Sequence, residues 1–386
     1  MAEIRVENLV KQFDAFTAVR DTSFTVPDGD FFCLLGPSGC GKTTTLRMVA
    51  GLELPTSGRI HLDNQDVTFK RARERDIAMV FQLFALYPHM NVRRNIAFPL
   101  VSVGTPKKEI RRRVDEAART LRIEHLLDLP VSGLSGGDRQ RVALGRALVR
   151  QPKAFMMDEP LGALDAEFRH IMCGELRAMH DRLKATTVYV THDQLEAMSM
   201  ADVIAVMNGG CIEQLAPPQE IYDRPASIFV GEFIGSPAMN FLRFEGAVEL
   251  GAAQVTVGGI RVAIPAPREG RPSGPLALGV RPEHVGLVSE GGIRGEVIGI
   301  EYLGTNQIAT VVTTHGMVKA RLPASDAVSL GEPVGLAFRS TKLSLFAGDT
   351  GKVIRSALHD TPHSRHESLR RGNARVAAHA NGAAHV

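Results

Sequence analysis

The sequence lacks the features that would place the chain across a membrane or outside the cell. No apolar run approaches the roughly 18 residues that a membrane-spanning helix needs, and the start, Met1 to Arg5, has no secretory pattern. The four cysteines show no C-x-x-C spacing, so they indicate neither a disulfide framework nor a zinc site. We therefore expect a cytoplasmic chain whose cysteines are reduced and serve mostly in packing.

The chain also lacks a large excess of either positive or negative charge. The formal net charge is +3 over 386 residues, and no clustered basic face indicates a nucleic-acid partner. No asparagine precedes a lysine, which excludes the N-K-x-D sequence that GTPases use to read guanine. The composition, with 44% hydrophobic and 23% charged residues, is typical of a globular protein. The length predicts about two domains.

The most informative stretch that is present is a glycine-rich loop. Gly36 to Thr43 reads G-P-S-G-C-G-K-T, which fits the phosphate-binding pattern G-x-x-x-x-G-K-[ST]. The apolar run Phe31 to Leu35 predicts a buried strand before it, and Thr44 to Ala50 predicts a helix after it, which disfavours an ordinary glycine-rich turn. Backbone N–H groups of such a loop surround phosphates. Lys42 would reach the β- and γ-phosphates, and the Thr43 hydroxyl would bind Mg²⁺.

Two later strands are predicted to end in polar side chains. Ala154 to Glu159 reads as a buried strand that ends in Asp158 and Glu159. In a phosphate-loop protein an aspartate at this place holds Mg²⁺, and the glutamate after it polarises an attacking water. The next strand, Thr187 to Val190, leads to His192. If the strands are neighbours, this histidine could reach a γ-phosphate or its water.

The first thirty residues alternate apolar and polar side chains and break at residues 27–29, which predicts a hairpin before the phosphate loop. Phe13 in this hairpin has two interpretations that the sequence leaves open. It could stack on a purine ring, or it could be buried in a sheet.

Helical periodicity appears at three later places. Lys107 to Ile123 carries an apolar stripe beside a charged face, and Phe168 to Leu183 carries a methionine-containing stripe that we interpret as core packing. The remaining predicted helix, Arg139 to Val149, lies between these two in the sequence and follows the stretch Leu134 to Asp138. Within that stretch Ser135 is a natural N-cap residue.

Past Gly235 the pattern changes to short strands and turns. Val255 to Val262 is a strong hairpin signal around Gly-Gly, and four further short runs follow, at Leu276 to Val280, Glu296 to Glu301, Ile308 to Val312 and Leu336 to Phe338. This indicates a small β-barrel. We predict a nucleotide-binding domain over residues 1–235, a β-barrel domain over 236–355, and a disordered tail over 356–386.

Taken together, these motifs resemble the ATPase subunit of ABC transporters over residues 1–355. The resemblance implies an α/β fold, in which a P-loop ATPase domain with a helical subdomain precedes a small C-terminal all-β, OB-like regulatory domain. It implies four catalytic positions, namely Glu159 as general base, His192 as switch histidine, Lys42, and Gln82 as the sensor of Mg²⁺ and of the membrane subunit. The implied Mg²⁺ ligands are Thr43, Gln82 and Asp158. The implied ATP contacts are Phe13, Gly36, Ser38, Gly39, Cys40, Gly41, Lys42, Thr43, Thr44, Ser135, Gly136, Gly137 and Asp165.

The family works as a head-to-tail dimer, which would make a second copy of the chain a partner. In that resemblance residues 134–138 are the signature sequence, and the signature helix of one copy caps the ATP held by the phosphate loop of the other. Leu164-Asp165 is the D-loop in the same resemblance. ATP and Mg²⁺ are the implied cofactors.

The second domain narrows the resemblance further. Gly235 to Asn240, Leu278 to His284 and Leu343 to Phe346 are similar to the regulatory domain of sugar importer ATPases, a group that handles maltose, other oligosaccharides, polyols and glycerol 3-phosphate. This implies two membrane permeases and an extracytoplasmic solute-binding protein as partners, with the chain peripheral at the cytoplasmic face of the membrane. Importers of polyamines, iron or sulfate are the alternative, and a soluble ABC ATPase that acts on ribosomes or DNA is a more distant one.

Three positions depart from the family pattern. Asp138 stands where the family usually has glutamine, and its carboxylate would repel the partner's γ-phosphate unless it serves as a cap of its own helix. Gly162 replaces the usual serine or asparagine of the D-loop, which removes a side chain that could hydrogen-bond across the dimer. Leu83-Phe84 replaces a more polar and aromatic pair after Gln82.

Overall fold

The computed structural model describes residues 2–81, 85–162 and 164–360. The chain divides into two compact units, of which the first ends at Pro218 and the second begins at Gln219. None of the helices in these described ranges is long and apolar enough to cross a membrane.

The first unit contains ten strands and six helices among its described residues. Its strands are β1 (Ile4–Phe13), β2 (Phe16–Val26), β3 (Phe31–Leu35), β4 (Ser57–Leu62), β5 (Gln65–Asp66), β6 (Ile77–Val80), β7 (Ala154–Asp158), β8 (Thr186–Thr191), β9 (Val203–Asn208) and β10 (Cys211–Ala216). Its helices are α1 (Lys42–Ala50), α2 (Val92–Ser102), α3 (Lys107–Leu121), α4 (Gly136–Leu148), α5 (Ala166–Leu183) and α6 (Gln194–Met200).

Strand order decides which loops meet in this unit. An antiparallel sheet has the order β2-β1-β4-β5, and a six-stranded sheet has the order β10-β9-β3-β8-β7-β6. In the second sheet β3, β8 and β7 are parallel neighbours. Their carboxyl ends therefore lie side by side at one edge, where an open α/β sheet binds its ligands.

A common apolar core joins the two sheets to α1. The helices α2, α3 and α4 meet at Gly145 of α4, since a Cβ built there would lie 3.1 Å from the Ile96 side chain of α2 and 3.2 Å from the Leu121 side chain of α3. The α/β fold with a helical part is thus confirmed.

Local conformation explains why several elements differ slightly from expectation. Helix α1 begins at Lys42, earlier than predicted, after Gly41 in a left-handed conformation with φ 100°. Helix α3 ends at Leu121 because Arg122 has φ 56°, and β7 ends at Asp158 because Glu159 has φ 45°. Such angles are incompatible with a continuing helix or strand.

The second unit is built almost wholly of strands. They are β11 (Asn240–Val248), β12 (Gln254–Val257), β13 (Ile260–Ala263), β14 (Arg271–Val280), β15 (Val285–Val288), β16 (Ile293–Tyr302), β17 (Asn306–Thr313), β18 (Gly316–Pro323), β19 (Pro333–Phe338), β20 (Ser344–Ala347) and β21 (Val353–Ile354). Two sheets, ordered β11-β14-β20-β21 and β15-β19-β16-β17-β18, surround one apolar core. The predicted hairpin around Gly258-Gly259 is β12 paired with β13.

The second unit begins earlier than residue 236. Two short helices, α7 (Pro218–Asp223) and α8 (Ile228–Phe233), precede its strands. The Arg281 guanidinium binds this segment, since it donates hydrogen bonds to the main-chain carbonyls of Tyr222, Gly231 and Ile234. These bonds tie residues 222–234 to the β-domain.

The predicted tail begins too early. Ala357–His359 form a short 3-10 helix, and the Arg268 side chain is paired with the carboxylate of Asp360. The expectation of disorder is therefore wrong for residues 356–360. Residues 361–386 lie outside the described ranges.

Candidate active site

The phosphate loop connects β3 to α1, and its glycines are required by close packing. A Cβ at Gly36 would lie 2.3 Å from the Met207 carbonyl oxygen, and one at Gly41 would lie 2.4 Å from that of Ala18. Gly39 also has a positive φ, of 79°. Only glycine fits such positions without a shift of the main chain. Of the other loop residues, Ser38 is exposed and Thr44 is partly buried at the start of α1.

The lysine of this loop is turned into the loop itself. The Lys42 ammonium donates to the carbonyl oxygens of Gly36 at 2.8 Å and Pro37 at 2.9 Å, and the residue is only 5% exposed. The Cys40 Sγ lies 3.8 Å from the same nitrogen. Burial raises the pKa of the Cys40 thiol, which keeps it protonated. The Lys42 ammonium is thus held against the phosphate loop, whose N–H groups also attract anions.

Strand β7, two places from β3 in the sheet, brings the carboxylate of Asp158 to the phosphate loop. The Thr43 hydroxyl donates to Asp158 Oδ1 at 2.8 Å. Asp158 is 6% exposed, and burial raises its pKa, while the hydrogen bond from Thr43 opposes that shift. A carboxylate and a hydroxyl at this distance are the hard oxygen ligands that Mg²⁺ prefers, so the residues fit a magnesium site.

Strand β8 lies between β3 and β7, and His192 directly follows its last residue. His192 Nδ1 lies 3.2 Å from Glu159 Oε1, and the Glu159 main-chain N–H donates to the Val190 carbonyl of β8 at 3.0 Å. The imidazole is 55% exposed and the Glu159 side chain 20% exposed. A carboxylate and an imidazole in contact at a sheet edge can accept a proton from water and orient it.

Phe13 lies at the end of β1 and is 43% exposed. The Lys11 ammonium lies 4.6 Å from its ring centroid. The interpretation of Phe13 as a residue buried in a sheet is therefore wrong. An exposed aromatic ring supports the other interpretation, in which the ring stacks on a base.

The signature residues form the capped start of α4. The Ser135 Oγ accepts the Asp138 N–H at 3.1 Å, as an N-cap does, and its hydroxyl donates to Asp138 Oδ2 at 2.7 Å. Asp138 Oδ1 is also 3.5 Å from the Arg141 guanidinium. The carboxylate is thus bound by two residues of its own helix start, although its negative charge remains there.

Two further signature positions are glycines at the first turn of α4. A Cβ at Gly137 would lie 2.0 Å from the Phe168 ring, whereas one at Gly136 would lie 3.8 Å from Leu164. Gly137 therefore permits α4 to approach α5. Among the described residues, no hydrogen bond or ion pair joins Ser135, Gly136 or Gly137 to the phosphate loop of the same chain.

The remaining predicted positions lie around α5 or outside the described ranges. Asp165 is the N-cap of α5 and accepts the Phe168 N–H at 2.9 Å. Gly162 donates its N–H to the Glu159 carbonyl at 3.2 Å, within the turn that orients Glu159. Gln82 and the Leu83-Phe84 departure lie outside the described residues.

Sequence reasoning missed Arg169 and Asp193, which form an ion pair of 2.9 Å next to the histidine. Asp193 could have been found, because an aspartate between a strand and a helix is a common N-cap. No local pattern marks Arg169, since its partner is distant in sequence.

Comparison with known proteins decides the family. The family model described as ABC transporter matches residues 19–162, that of the MalK OB fold domain matches 235–285, and that of the TOBE domain matches 278–346. The chain is 44% identical over 390 residues to the trehalose import ATP-binding protein SugC of Mycobacterium tuberculosis strain H37Rv, with 91% of this chain and 98% of the relative covered. The chain belongs to the ABC transporter ATP-binding proteins.

A second curated relative matches almost the whole chain, and a solved structure matches about half of it. The sn-glycerol-3-phosphate import ATP-binding protein UgpC of Escherichia coli strain K12 is 44% identical over 358 residues, with 92% of this chain and 100% of the relative covered. A solved dimeric ATP-binding cassette, in a post-hydrolysis state with ADP and phosphate, is 28% identical with a TM-score of 0.50, and the match covers 56% of this chain and 98% of that chain. The family assignment makes the chain an ATP hydrolase that binds ATP.

Proposed function

We propose that the chain is the motor subunit of an importer for a sugar, polyol or glycerol 3-phosphate type of solute. The observation that carries this proposal is the likeness to SugC and UgpC, which extends through both units of the chain. The names of these relatives favour this solute class over polyamines, iron or sulfate. The MalK-type OB domain at 235–285 supports the same choice.

In the proposed mechanism, the oxygen of a water attacks the γ-phosphorus while Glu159 accepts a proton from that water. The bond between the γ-phosphorus and the β–γ bridging oxygen breaks, and ADP leaves with that oxygen. His192, at 3.2 Å from Glu159, holds the carboxylate and orients the phosphate. The Lys42 ammonium offsets the negative charge that the phosphoryl group carries in the transition state. Phe13 stacks on adenine, and the loop N–H groups from Gly36 to Thr44 surround the phosphates.

Thr43, Asp158 and Gln82 would hold Mg²⁺. When bound, the ion offsets phosphate charge and fixes the phosphate oxygens in place. The contact between Thr43 and Asp158 supports this assignment for two of the three residues.

Two copies arranged head to tail would complete the site. Ser135, Gly136, Gly137 and Asp165 of one copy would face the ATP held by the other, since a capped helix N-terminus favours anions. The dimeric state of the solved cassette supports such an arrangement. Two membrane permeases and an extracytoplasmic solute-binding protein would complete the importer, and the chain would then lie at the cytoplasmic face of the membrane.

The deciding experiment is ATP hydrolysis by the purified chain with Mg²⁺ at several protein concentrations, beside Glu159→Gln and Lys42→Ala. We expect activity per mole to rise with concentration, as dimerisation requires. Glu159→Gln should bind ATP but hydrolyse it at least about a hundredfold more slowly, which is the contribution of a general base. Lys42→Ala should lose activity. Near-normal turnover in Glu159→Gln would remove Glu159 from its role.

The solute is tested on the assembled importer. The chain is copurified with its permeases, and the ligand of the associated binding protein is identified by mass spectrometry. A sugar, polyol or glycerol phosphate supports the proposal, whereas a polyamine, sulfate or iron complex contradicts it.

A further inference from the structure

Arg169 lies in the second turn of α5, and its side chain reaches back to the D-loop. One terminal nitrogen of its guanidinium donates to the main-chain carbonyl of Leu164 at 2.8 Å. Because Leu164 directly precedes the N-cap Asp165, this bond fixes the D-loop main chain to the helix that follows it.

The other terminal nitrogen of the same guanidinium reaches the segment that follows β8. It donates to Asp193 Oδ2 at 2.9 Å, and Arg169 Nε lies 3.6 Å from Glu196 Oε1. Asp193 is the N-cap of α6, since its Oδ1 accepts the N–H groups of Leu195 at 2.8 Å and Glu196 at 3.3 Å. One carboxylate thus binds both the helix start and Arg169.

A buried network holds the residue on the other side of His192. The Thr191 hydroxyl donates to Glu196 Oε2 at 2.7 Å and accepts the Asp193 N–H at 3.0 Å. Glu196 is 2% exposed, and it also accepts the Tyr189 hydroxyl at 2.8 Å. The residues before and after His192 are therefore both held by side chains, and Arg169 pairs with this network from α5.

We propose that Arg169 is a positioning residue that holds His192 against Glu159 and couples that contact to the D-loop. The proposal rests on the proposed function, in which the D-loop faces the second copy and His192 faces the γ-phosphate. A planar guanidinium has parallel donors and can serve a carbonyl and a carboxylate at once, whereas an ammonium lacks this geometry. A displacement of the D-loop would thus reach Asp193, the residue that follows His192, through the planar guanidinium of one side chain.

The chain offers a matched control on the same helix. Arg177 also donates to a main-chain carbonyl, that of Met200 at 2.7 Å, and pairs with Asp202 at 3.0 Å. Its side chain is 29% exposed, against 27% for Arg169. Arg177→Ala therefore removes similar interactions at the carboxyl end of α6, and it leaves the Arg169 contacts with Leu164 and Asp193 in place. Asp193→Asn is the partner variant, because asparagine caps a helix as well as aspartate but lacks the charge.

The experiment measures kcat, the KM for ATP and the thermal midpoint for the full chain and for Arg169→Ala, Arg169→Lys, Asp193→Asn, the Arg169→Ala/Asp193→Asn double variant and Arg177→Ala. We expect Arg169→Ala and Asp193→Asn each to lower kcat about tenfold or more, a loss typical of a misplaced catalytic group, with KM within about twofold. The double variant should be no slower than Arg169→Ala. Arg169→Lys should recover only part of kcat, and Arg177→Ala should keep kcat within about twofold.

A second readout does not depend on turnover. The ring resonances of His192, identified by their loss in His192→Gln, should shift in Arg169→Ala and stay unchanged in Arg177→Ala. Unchanged resonances, equal kcat values for Arg169→Ala and Arg177→Ala, or losses that multiply in the double variant would each overturn the proposal. Absence of hydrolysis in the unaltered chain would instead contradict the proposed function, and the resonances would still test Arg169.

Discussion

Asp158 and Glu159 are consecutive carboxylates with different surroundings. Asp158 is buried and accepts the Thr43 hydroxyl, whereas Glu159 is partly exposed and contacts His192. The left-handed conformation of Glu159, with φ 45°, turns the chain between them. Each carboxylate therefore has its own partner, and the two proposed tasks, metal binding and proton acceptance, do not compete for one group.

Asp138 is a departure from the family pattern that places a negative charge where the family usually has a neutral glutamine. In the proposed dimer the start of α4 faces phosphate, yet the Ser135 hydroxyl donates to the Asp138 carboxylate at 2.7 Å. We predict that Asp138→Gln raises kcat for ATP hydrolysis about two- to fivefold, because it removes a negative charge that would repel the partner's γ-phosphate. A gain of this size corresponds to about 0.4–1 kcal/mol, within the range measured for exposed charge pairs. Steady-state hydrolysis at saturating ATP measures this.

The control for that prediction is Asp138→Glu, which matches glutamine in length but keeps the negative charge, and it should show no gain. Unchanged turnover in Asp138→Gln would contradict the prediction. It would show that Ser135 and Arg141 already hold the carboxylate away from the phosphate.

Helix α5 is attached to the parallel sheet by a buried histidine. His180 is 3% exposed, its ring lies edge-on to that of Phe31 with centroids 5.2 Å apart, and Nδ1 is 3.3 Å from the Thr187 hydroxyl. Burial lowers the pKa of His180, although Asp202, at 3.8 Å, opposes the shift. The helix therefore packs best with a neutral imidazole.

This shift predicts a pH dependence of stability. Because the folded pKa lies below the ordinary value of 6.5, the unfolded chain takes up the proton first, and the free energy of unfolding falls as the pH drops below about 6.5. His180→Gln removes this titration. Between pH 7.5 and 5.5 we expect the unaltered chain to lose more stability than His180→Gln, by up to about 1 kcal/mol.

Thermal unfolding at both pH values measures the difference. His170→Gln is the control, since His170 lies on the same helix and is exposed, and its profile should follow that of the unaltered chain. Parallel profiles for the unaltered chain and His180→Gln would contradict the prediction.

At the scale of the whole molecule, the division into two units depends on long-range contacts. The Arg281 side chain is buried, and burial lowers its pKa. Its hydrogen bonds to the carbonyls of Tyr222 and Gly231 draw two short helices onto the β-domain. The change of sequence pattern near Gly235 marks the start of the strands. It does not reveal that the second unit begins earlier, with the two short helices.

We predict that Arg281→Met destabilises the second unit by about 3 kcal/mol or more, because methionine leaves several buried carbonyl groups without a donor. Calorimetry and limited proteolysis should show earlier unfolding of residues 219–360. Affinity for a fluorescent ATP analogue should stay within about twofold, since the proposed nucleotide residues lie in the first unit. Arg243→Met is the control, because Arg243 is exposed on β11. Equal unfolding of the two variants would contradict the prediction.

The sequence alone determined the parts of the molecule that depend on neighbouring residues. The strand, glycine loop and helix from Phe31 to Ala50, the cap at Ser135 and the hairpin around Gly258-Gly259 follow from periodicity, backbone freedom and capping, which act within a few residues. These local signals, in their order along the chain, were sufficient for the fold class and the family.

Only the tertiary structure decided which distant side chains meet. The order β3-β8-β7 brings His192 to Glu159 and Asp158 to Thr43. The pairing of Arg169 with Asp193 and the anchoring of residues 222–234 by Arg281 also join groups from separate elements. Such contacts depend on how whole sheets and helices pack, and no local pattern encodes the direction in which a long arginine side chain finds its partner.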